Sequence, residues 1–168
     1  MPDAGIKWRH VIINTRSSWL HGDPRGFRDP GHRAHSSGDY RNPPPRGEHA
    51  GLYRLRKERA RPKITLVPDV TGIIGKALVQ YFTEAEYRLL AVAVTREHAD
   101  LLVELPDNIL KVRAIVGNAK RLSSRAVKRS MPGTIWAAGG TYKPIRDIGH
   151  QRNTYAYILH NQGPDAWT

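Results

Sequence analysis

Four side chains in the middle and at the end of this 168-residue chain could together act on a phosphate. His98 and Asp100 stand two positions apart at the start of a predicted strand, so their side chains point to the same face. An imidazole beside a carboxylate is a suitable ligand pair for a divalent cation. Tyr157 and Asn161 are four positions apart in a predicted helix and also share one face. A tyrosine that loses its proton could attack phosphorus, and the Asn161 amide oxygen could bind the same metal.

Each of these features also has an ordinary structural interpretation. His98 and Asp100 could be polar residues of a surface hairpin turn, because short motifs occur often by chance. A tyrosine in a helix is more commonly a core aromatic. Tyr155 lies on a different helical face from Tyr157 and has Leu159 four positions on, so Tyr155 is the better candidate for packing. His10, beside the first predicted strand, could be either core or surface.

The elements that must position these residues follow from hydrophobic periodicity. Their order, strand, long insertion, helix, strand, strand, helix, strand, helix, predicts an α+β fold. It is a ferredoxin-like antiparallel sheet (βαββαβ) with helices on one face and an appended C-terminal helix that carries the tyrosine. Asp107 is predicted to cap the second helix of the sheet domain, and Gly139-Gly140 interrupts the last strand. The predicted strands are 8–15, 88–96, 99–105 and 135–145, and the predicted helices are 68–87, 107–131 and 149–162.

The insertion, residues 21–62, differs in composition from the rest of the chain. Glycine and proline recur there, and Pro43–Pro45 excludes a helix at that point. The segment has ten basic against five acidic residues, a net charge of +5. We expect it to lack a core of its own and either to be a disordered arm or to lie over the domain and order on a ligand. The chain is therefore predicted to be one domain, 1–168, with this insertion.

The net charge of the chain is +12, from 27 lysines and arginines against 15 acids. A domain this basic usually binds a polyanion, because its cations displace the counterions that surround phosphates. The predicted helix 107–131 has seven cations and one acid, so it is expected to face phosphate. The alternatives are a merely solvated basic surface and, less favoured, acidic membrane lipid. The predicted nucleic-acid-binding residues are Lys111, Arg113, Lys120, Arg121, Arg125, Lys128, Arg129, Arg25, Arg28, Lys143 and Arg146.

Composition also excludes several classes of function. The chain has no cysteine, which excludes disulfides, thiolate metal sites and cysteine nucleophiles. No apolar run approaches the roughly 18 residues that a membrane span needs, and the N-terminus lacks the apolar stretch of a signal peptide. We therefore expect a cytoplasmic protein, bacterial and associated with the nucleoid, that has no membrane partner.

Three stretches of the chain resemble one family. AVAVTREHADLLVELP (91–106) resembles the strand-turn-strand that carries the HUH motif in single-tyrosine transposases of insertion sequences. HQRNTYAYILHNQ (150–162) resembles their C-terminal helix, with its pattern Tyr-Ile-x-x-Asn or Gln. WLHGDPRGFRD (19–29) and HSSGDYRNPPP (35–45) resemble an insertion found near the REP-associated tyrosine transposases. The resemblance covers nearly the whole chain.

The resemblance implies a role for each matching position. His98 corresponds to the first histidine of His-hydrophobic-His, Tyr157 to the nucleophile and Asn161 to the third metal ligand. Such enzymes use Mg²⁺ or Mn²⁺ to attack single-stranded DNA, forming a 5′-phosphotyrosine link and a free 3′-hydroxyl. Proteins of this family act as homodimers and recognise DNA with hairpin ends.

Asp100 departs from the family pattern, because it stands where the second histidine belongs. A carboxylate suits Mg²⁺ or Mn²⁺ at least as well as an imidazole, but it adds negative charge beside the phosphate and the tyrosine. The expected function is a DNA transesterase. The alternative is a non-catalytic protein that binds a DNA hairpin or RNA on the same fold, with a decayed HUH site.

Overall fold

The structure is a computed structural model, and it describes residues 5–28, 35–38, 41–161 and 166–167. The chain divides into two compact units. The first comprises residues 1–15 and 65–168 and contains the sheet; the second comprises residues 16–64 and corresponds closely to the predicted insertion. No helix in the described ranges is long and apolar enough to cross a membrane.

The sheet of the first unit is formed by the strands β1 (Ile6–Asn14), β2 (Leu89–Val94), β3 (His98–Pro106), β4 (Thr141–Pro144) and β5 (Ala166–Trp167). Their order is β4-β1-β3-β2-β5, and every neighbouring pair is antiparallel. The first four strands in this order have the ferredoxin-like arrangement, which confirms the predicted fold class. The register between β1 and β3 places Asp100 opposite Ile12, and Leu102 opposite His10.

Three helices cover the sheet of this unit: α2 (Pro68–Glu84), α3 (Ile109–Ala126) and α4 (Ile148–Asn161). Ile158 of α4 packs in a cluster with Ala91, Ala93 and Leu102, which lie on one face of the sheet. Strand side chains alternate between faces, so Val11 and its β3 partner Leu101 point to the other face and are fully buried there. Because α2 and α3 pack on each other and on the strands, these two helices cover that second face.

The N-cap of α3 lies one residue later than predicted. Asn108 is the N-cap, and its side-chain oxygen accepts hydrogen bonds from the backbone N–H of Leu110 at 2.9 Å and of Lys111 at 3.2 Å. The prediction that Asp107 is the cap is wrong. The Asp107 carboxylate instead pairs with two cations of β1, at 2.7 Å from Lys7 and 3.3 Å from Arg9.

The last strand of the ferredoxin-like sheet is shorter than predicted. Only Thr141–Pro144 pairs with β1, whereas Trp136 forms an isolated bridge with Thr15. Gly139 lies between them at φ +71°, a conformation that glycine adopts without strain, so the chain turns there instead of continuing the strand. The Gly139-Gly140 pair therefore separates two pieces of what the sequence predicts as one strand.

Among its described residues, the second unit contains one helix, α1 (Ala50–Arg59), in which no residue is buried. A small buried group forms around Phe27, whose ring packs between those of His21 and His49. Asp23 is 3% exposed and accepts hydrogen bonds from the Arg25 side chain. The segment thus has a minimal core, where the composition suggested that it has none.

Candidate active site

The turn between β2 and β3 fixes the first candidate metal ligand. The Thr95 backbone N–H donates to the His98 carbonyl at 2.8 Å, and the Thr95 hydroxyl donates to the same carbonyl at 3.1 Å. The Thr95 Oγ1 also lies 3.0 Å from His98 Nδ1. The far side of the turn is held by the Thr15 N–H, which donates to the Glu97 carbonyl at 2.8 Å. His98 therefore begins β3 with its ring held by a neighbouring side chain.

Asp100 is the carboxylate of this site and is only 1% exposed. As predicted, it shares a face with His98, and His98 Nε2 lies 3.0 Å from Asp100 Oδ2. A third group, which the sequence did not assign to the site, joins them: His10 Nε2 lies 2.6 Å from Asp100 Oδ1. His10 comes from the neighbouring strand β1, so the cluster is built across two strands.

The two imidazoles decide the ionisation of Asp100. Burial alone raises the pKa of the Asp100 carboxyl, but the hydrogen bond from His10 and the approach of His98 outweigh burial. The net effect is a pKa below the ordinary value of this group. Asp100 is therefore a carboxylate at neutral pH. Since a carboxylate can only accept, His10 Nε2 is the donor in the 2.6 Å hydrogen bond.

Tyr157 lies beside this cluster on α4. The residue is 44% exposed, and its ring stands edge-on to the His10 ring, with the centroids 6.1 Å apart and the planes at 67°. Tyr155 packs instead against the cluster of Ala91, Ala93, Leu102 and Ile158, as its helical position predicts. The helix thus presents one tyrosine to the core and the other to solvent beside the histidines.

The start of α4 sets the position of Tyr157. The Asp147 carboxylate accepts a hydrogen bond from the His150 backbone N–H at 2.8 Å, which is the geometry of an N-cap. The His150 Nδ1 accepts a hydrogen bond from the Arg146 backbone N–H at 3.2 Å. Asp147 was not recognised from the sequence, where the helix was predicted to begin at Gly149.

The set of metal ligands predicted from the sequence is only partly visible. His98 and Asp100 come together, but Asn161 is the last residue of α4 and its side chain lies outside the described residues. Within the described ranges, no three His, Asp or Glu side chains form a group that could hold a metal ion. One atom nevertheless fits a cation: Asp100 Oδ2 is buried and has no hydrogen bond of acceptable geometry there.

The predicted nucleic-acid-binding cations fall into three groups. Six of the seven on or after α3 are exposed, and several of them line an open cleft of about 580 Å³ with Thr134 and Trp136. The seventh, Lys120, is partly buried, and its ammonium donates to the carbonyls of Ala137 at 2.6 Å and Gly139 at 2.8 Å. Burial lowers the pKa of Lys120. The exposed six are Lys111, Arg113, Arg121, Arg125, Lys128 and Arg129.

The second group is on or next to β4. Lys143 stands directly opposite His10 in the β1–β4 register, so its side chain projects from the same face as the histidine cluster. Arg146, two residues after the strand, is exposed at the start of α4. This group supplies positive charge close to the exposed tyrosine.

The third group lies in the second unit. The guanidinium of Arg25 bonds to the Asp23 carboxylate at 2.6 Å and to the Ser18 carbonyl at 2.6 Å, and it stacks over Trp19 at 4.0 Å. Arg25 therefore has a structural role in this unit, whereas Arg28 is exposed. Their binding to nucleic acid stays a prediction.

Comparison with solved structures finds similar chains. One is a REP-associated tyrosine transposase bound to a REP hairpin, with 13% sequence identity and a TM-score of 0.49; the similarity covers 95% of this chain and 67% of that one. Another is a candidate transposase from Deinococcus radiodurans R1, with 16% identity and a TM-score of 0.45, covering 96% of this chain and 95% of that one. No protein-family model and no curated protein matches. Both similarities extend over almost the whole length of this chain.

Proposed function

We propose that this protein is a metal-dependent transposase that breaks and rejoins single-stranded DNA through Tyr157. The observation that carries the proposal is the contact series from Tyr157 to His10, from His10 to Asp100 and from Asp100 to His98. An exposed tyrosine, a buried carboxylate and two imidazoles from three separate elements meet on one face of the sheet. A tyrosine that served only for packing would lie against the core, as the partly buried Tyr155 does.

In the proposed reaction the Tyr157 oxygen attacks a backbone phosphorus. The new bond is a 5′-phosphotyrosine, and the bond that breaks is the one to the 3′-oxygen, which leaves as a hydroxyl after taking up a proton. The tyrosine loses its own proton as it attacks. The reverse attack by a 3′-hydroxyl releases the tyrosine and reseals DNA, so no external energy source is needed.

The side chains around Tyr157 would prepare this step. His98 and Asp100 would hold Mg²⁺ or Mn²⁺ together with Asn161, and the bound cation would polarise the scissile phosphate. Lys143, on the same face as His10, would attract the phosphate by charge. The exposed cations of α3 would bind the DNA backbone further away, where their contribution to affinity does not depend on base sequence.

The second candidate is a protein that binds a DNA hairpin or RNA without cutting it. One reason to favour it is that Asp100 stands at the position of a histidine. Another is that, among the described side chains, His98 and Asp100 are not part of a group of three ligands that could hold a metal ion. Both candidates account for the net charge of +12. Only the transesterase gives a role to an exposed tyrosine whose ring lies against the histidine that holds the buried carboxylate.

The deciding experiment is covalent capture. The protein is incubated with single-stranded DNA that contains a hairpin, with Mn²⁺ or with a chelator, and the products are separated on a denaturing gel. We expect a protein–DNA adduct that needs the metal, that Tyr157→Phe abolishes and that Tyr155→Phe retains. An adduct that persists in Tyr157→Phe would assign the nucleophile elsewhere. DNA binding without any adduct would favour the second candidate.

The homodimer implied by the family resemblance is part of the same proposal. Sedimentation of the free protein and of its hairpin complex measures it directly. A complex containing two protein chains supports it, and a complex with one chain contradicts it.

A further inference from the structure

We propose that His10 is a positioning residue, which holds Asp100 so that one carboxylate oxygen faces the cation beside His98. This inference rests on the proposed function, since it concerns the same metal site. It explains how a carboxylate can replace the expected histidine at position 100. The two residues would then act as a matched pair, contributed by neighbouring strands.

The first step of the argument is how Asp100 uses its two oxygens. Oδ1 accepts the 2.6 Å hydrogen bond from His10, whereas Oδ2 is buried, has no hydrogen bond of acceptable geometry among the described residues and lies 3.0 Å from His98 Nε2. A buried carboxylate oxygen that makes no hydrogen bond is costly. A ligand that takes up this oxygen removes the cost.

The second step is how the ring of His98 is held. Thr95 Oγ1 lies 3.0 Å from His98 Nδ1, and the same oxygen accepts hydrogen bonds from the backbone N–H groups of Glu97 at 3.4 Å and of His98 at 3.2 Å. With Nδ1 in contact with Thr95, Nε2 is the ring nitrogen that faces Asp100. Metal-binding histidines are commonly oriented in this way, by a partner on the other ring nitrogen.

The third step is the distance between His98 Nε2 and Asp100 Oδ2. These atoms are 3.0 Å apart, a separation that a proton or a shared cation can bridge. Ligands at neighbouring corners of an octahedron around Mg²⁺, with bonds of about 2.0–2.1 Å, are separated by about 2.8–3.0 Å. The separation of His98 Nε2 and Asp100 Oδ2 is therefore the one that two ligands of a single ion would have.

The fourth step is the place of His10 in the sheet. Its strand neighbour Ile12 is directly opposite Asp100, so His10 is the diagonal neighbour of Asp100 on the same face. The His10 ring also lies against Tyr157. Its side chain is 12% exposed, so its hydrogen bond to the carboxylate is largely shielded from water. A shielded hydrogen bond to a charged group can hold a rotamer firmly.

The test is Mn²⁺ binding by the full chain without DNA, measured by electron paramagnetic resonance or calorimetry. We expect His10→Ala to weaken binding by about 10- to 100-fold, the usual range for loss of a group that orients a ligand. His10→Gln, whose amide can still donate to Oδ1, should recover a large part of the affinity. Thermal unfolding of each variant shows whether the fold is retained.

Repeating His10→Ala in a chain that also has Asp100→His distinguishes positioning of Asp100 from a general structural effect. In Asp100→His, which restores the family pattern and is expected to keep or raise activity, there is no carboxylate for His10 to orient. His10→Ala should then change Mn²⁺ affinity by less than about threefold, so the two substitutions are strongly coupled. An equal loss in both backgrounds would overturn the inference, as would unchanged affinity in His10→Ala alone.

The outcomes also separate this inference from the proposed function. If the unmodified chain binds Mn²⁺ and forms the DNA adduct but His10→Ala binds the ion equally well, only the role of His10 is wrong. If the unmodified chain binds no Mn²⁺, the metal-dependent function itself fails, and the role of His10 with it.

Discussion

His10 and Asp100 are ninety positions apart in the chain, yet a 2.6 Å hydrogen bond joins them across two neighbouring strands. The bond leaves the carboxylate ionised in spite of almost complete burial, because two imidazoles outweigh the cost of desolvation. It also places one ring between the buried carboxylate and the exposed Tyr157. The candidate site is thus continuous from the sheet to the surface helix.

The lowered pKa of Asp100 predicts how stability depends on pH. A group whose pKa is depressed in the folded state stabilises the fold above its unfolded pKa, about 3.9 for aspartate, and this contribution is lost as the pH falls through the lower folded value. The advantage of the unmodified chain over Asp100→Asn in unfolding free energy should be constant above about pH 5 and should shrink below about pH 4. Denaturant unfolding at a series of pH values measures it, with Glu86→Gln as an exposed control. A difference that grows toward acid pH would contradict the assignment.

Thr95 is predicted to control the ring of His98. Thr95→Val removes the hydroxyl that contacts Nδ1 and donates to the His98 carbonyl, while keeping a β-branched side chain. We expect Mn²⁺ affinity to fall by about tenfold and the free energy of unfolding by about 1–2 kcal/mol. Thr95→Ser keeps the hydroxyl and should preserve both. Equal Mn²⁺ affinity in the valine and serine variants would show that the hydroxyl does not orient His98.

The exposed cations of α3 are predicted to act on affinity and on its dependence on salt. Arg125→Ala should weaken binding to all DNA sequences alike and lower the slope of log affinity against log salt by about 1. Lys120→Ala is the matched contrast on the same helix, because its ammonium already bonds to two carbonyls. That variant should lose about 1–3 kcal/mol of stability with little change in the salt slope. The reverse pattern would mean that Lys120 is the phosphate contact.

Asp147 is predicted to matter for catalysis through the position of α4. Asp147→Ala removes the N-cap and should cost about 1 kcal/mol of stability, whereas Asp147→Ser, which can still cap, should cost little. Because Tyr157 lies on the same helix, the rate of adduct formation should fall in the alanine variant with little change in DNA affinity. A loss of affinity without a change in rate would place Asp147 in DNA binding instead.

Much of the fold follows from local sequence pattern. The period of the apolar residues predicts the type and order of the sheet unit's elements from β1 to α4, although not β5, and the four-residue spacing on the last helix distinguishes Tyr157 from Tyr155. The alternation of strand side chains likewise predicts that His98 and Asp100 share a face. These are relations between residues close in sequence, where geometry is fixed by the element itself.

The remaining features depend on contacts that are distant in sequence. His10 is one isolated histidine, and its role follows only from the strand order that puts β1 beside β3. A signal was present, because Val11 and Ile13 alternate with His10 and so place it on the opposite face from two buried residues. Which residue caps α3 is another example. The Asp107 carboxylate pairs with Lys7 and Arg9 of β1, and Asn108 caps the helix instead.

The sheet lies between the cations of α3 and the histidine cluster. α3, with its cations, covers one side, whereas Tyr157 and the histidine cluster lie on the side covered by α4. A strand of DNA that contacts both helices of one chain cannot be straight and has to pass around an edge of the sheet. The β4 edge, with Lys143, offers a positively charged route. DNA binding and DNA cleavage would then take place on opposite sides of the sheet. A mutation on one side could change binding without changing cleavage, and the reverse.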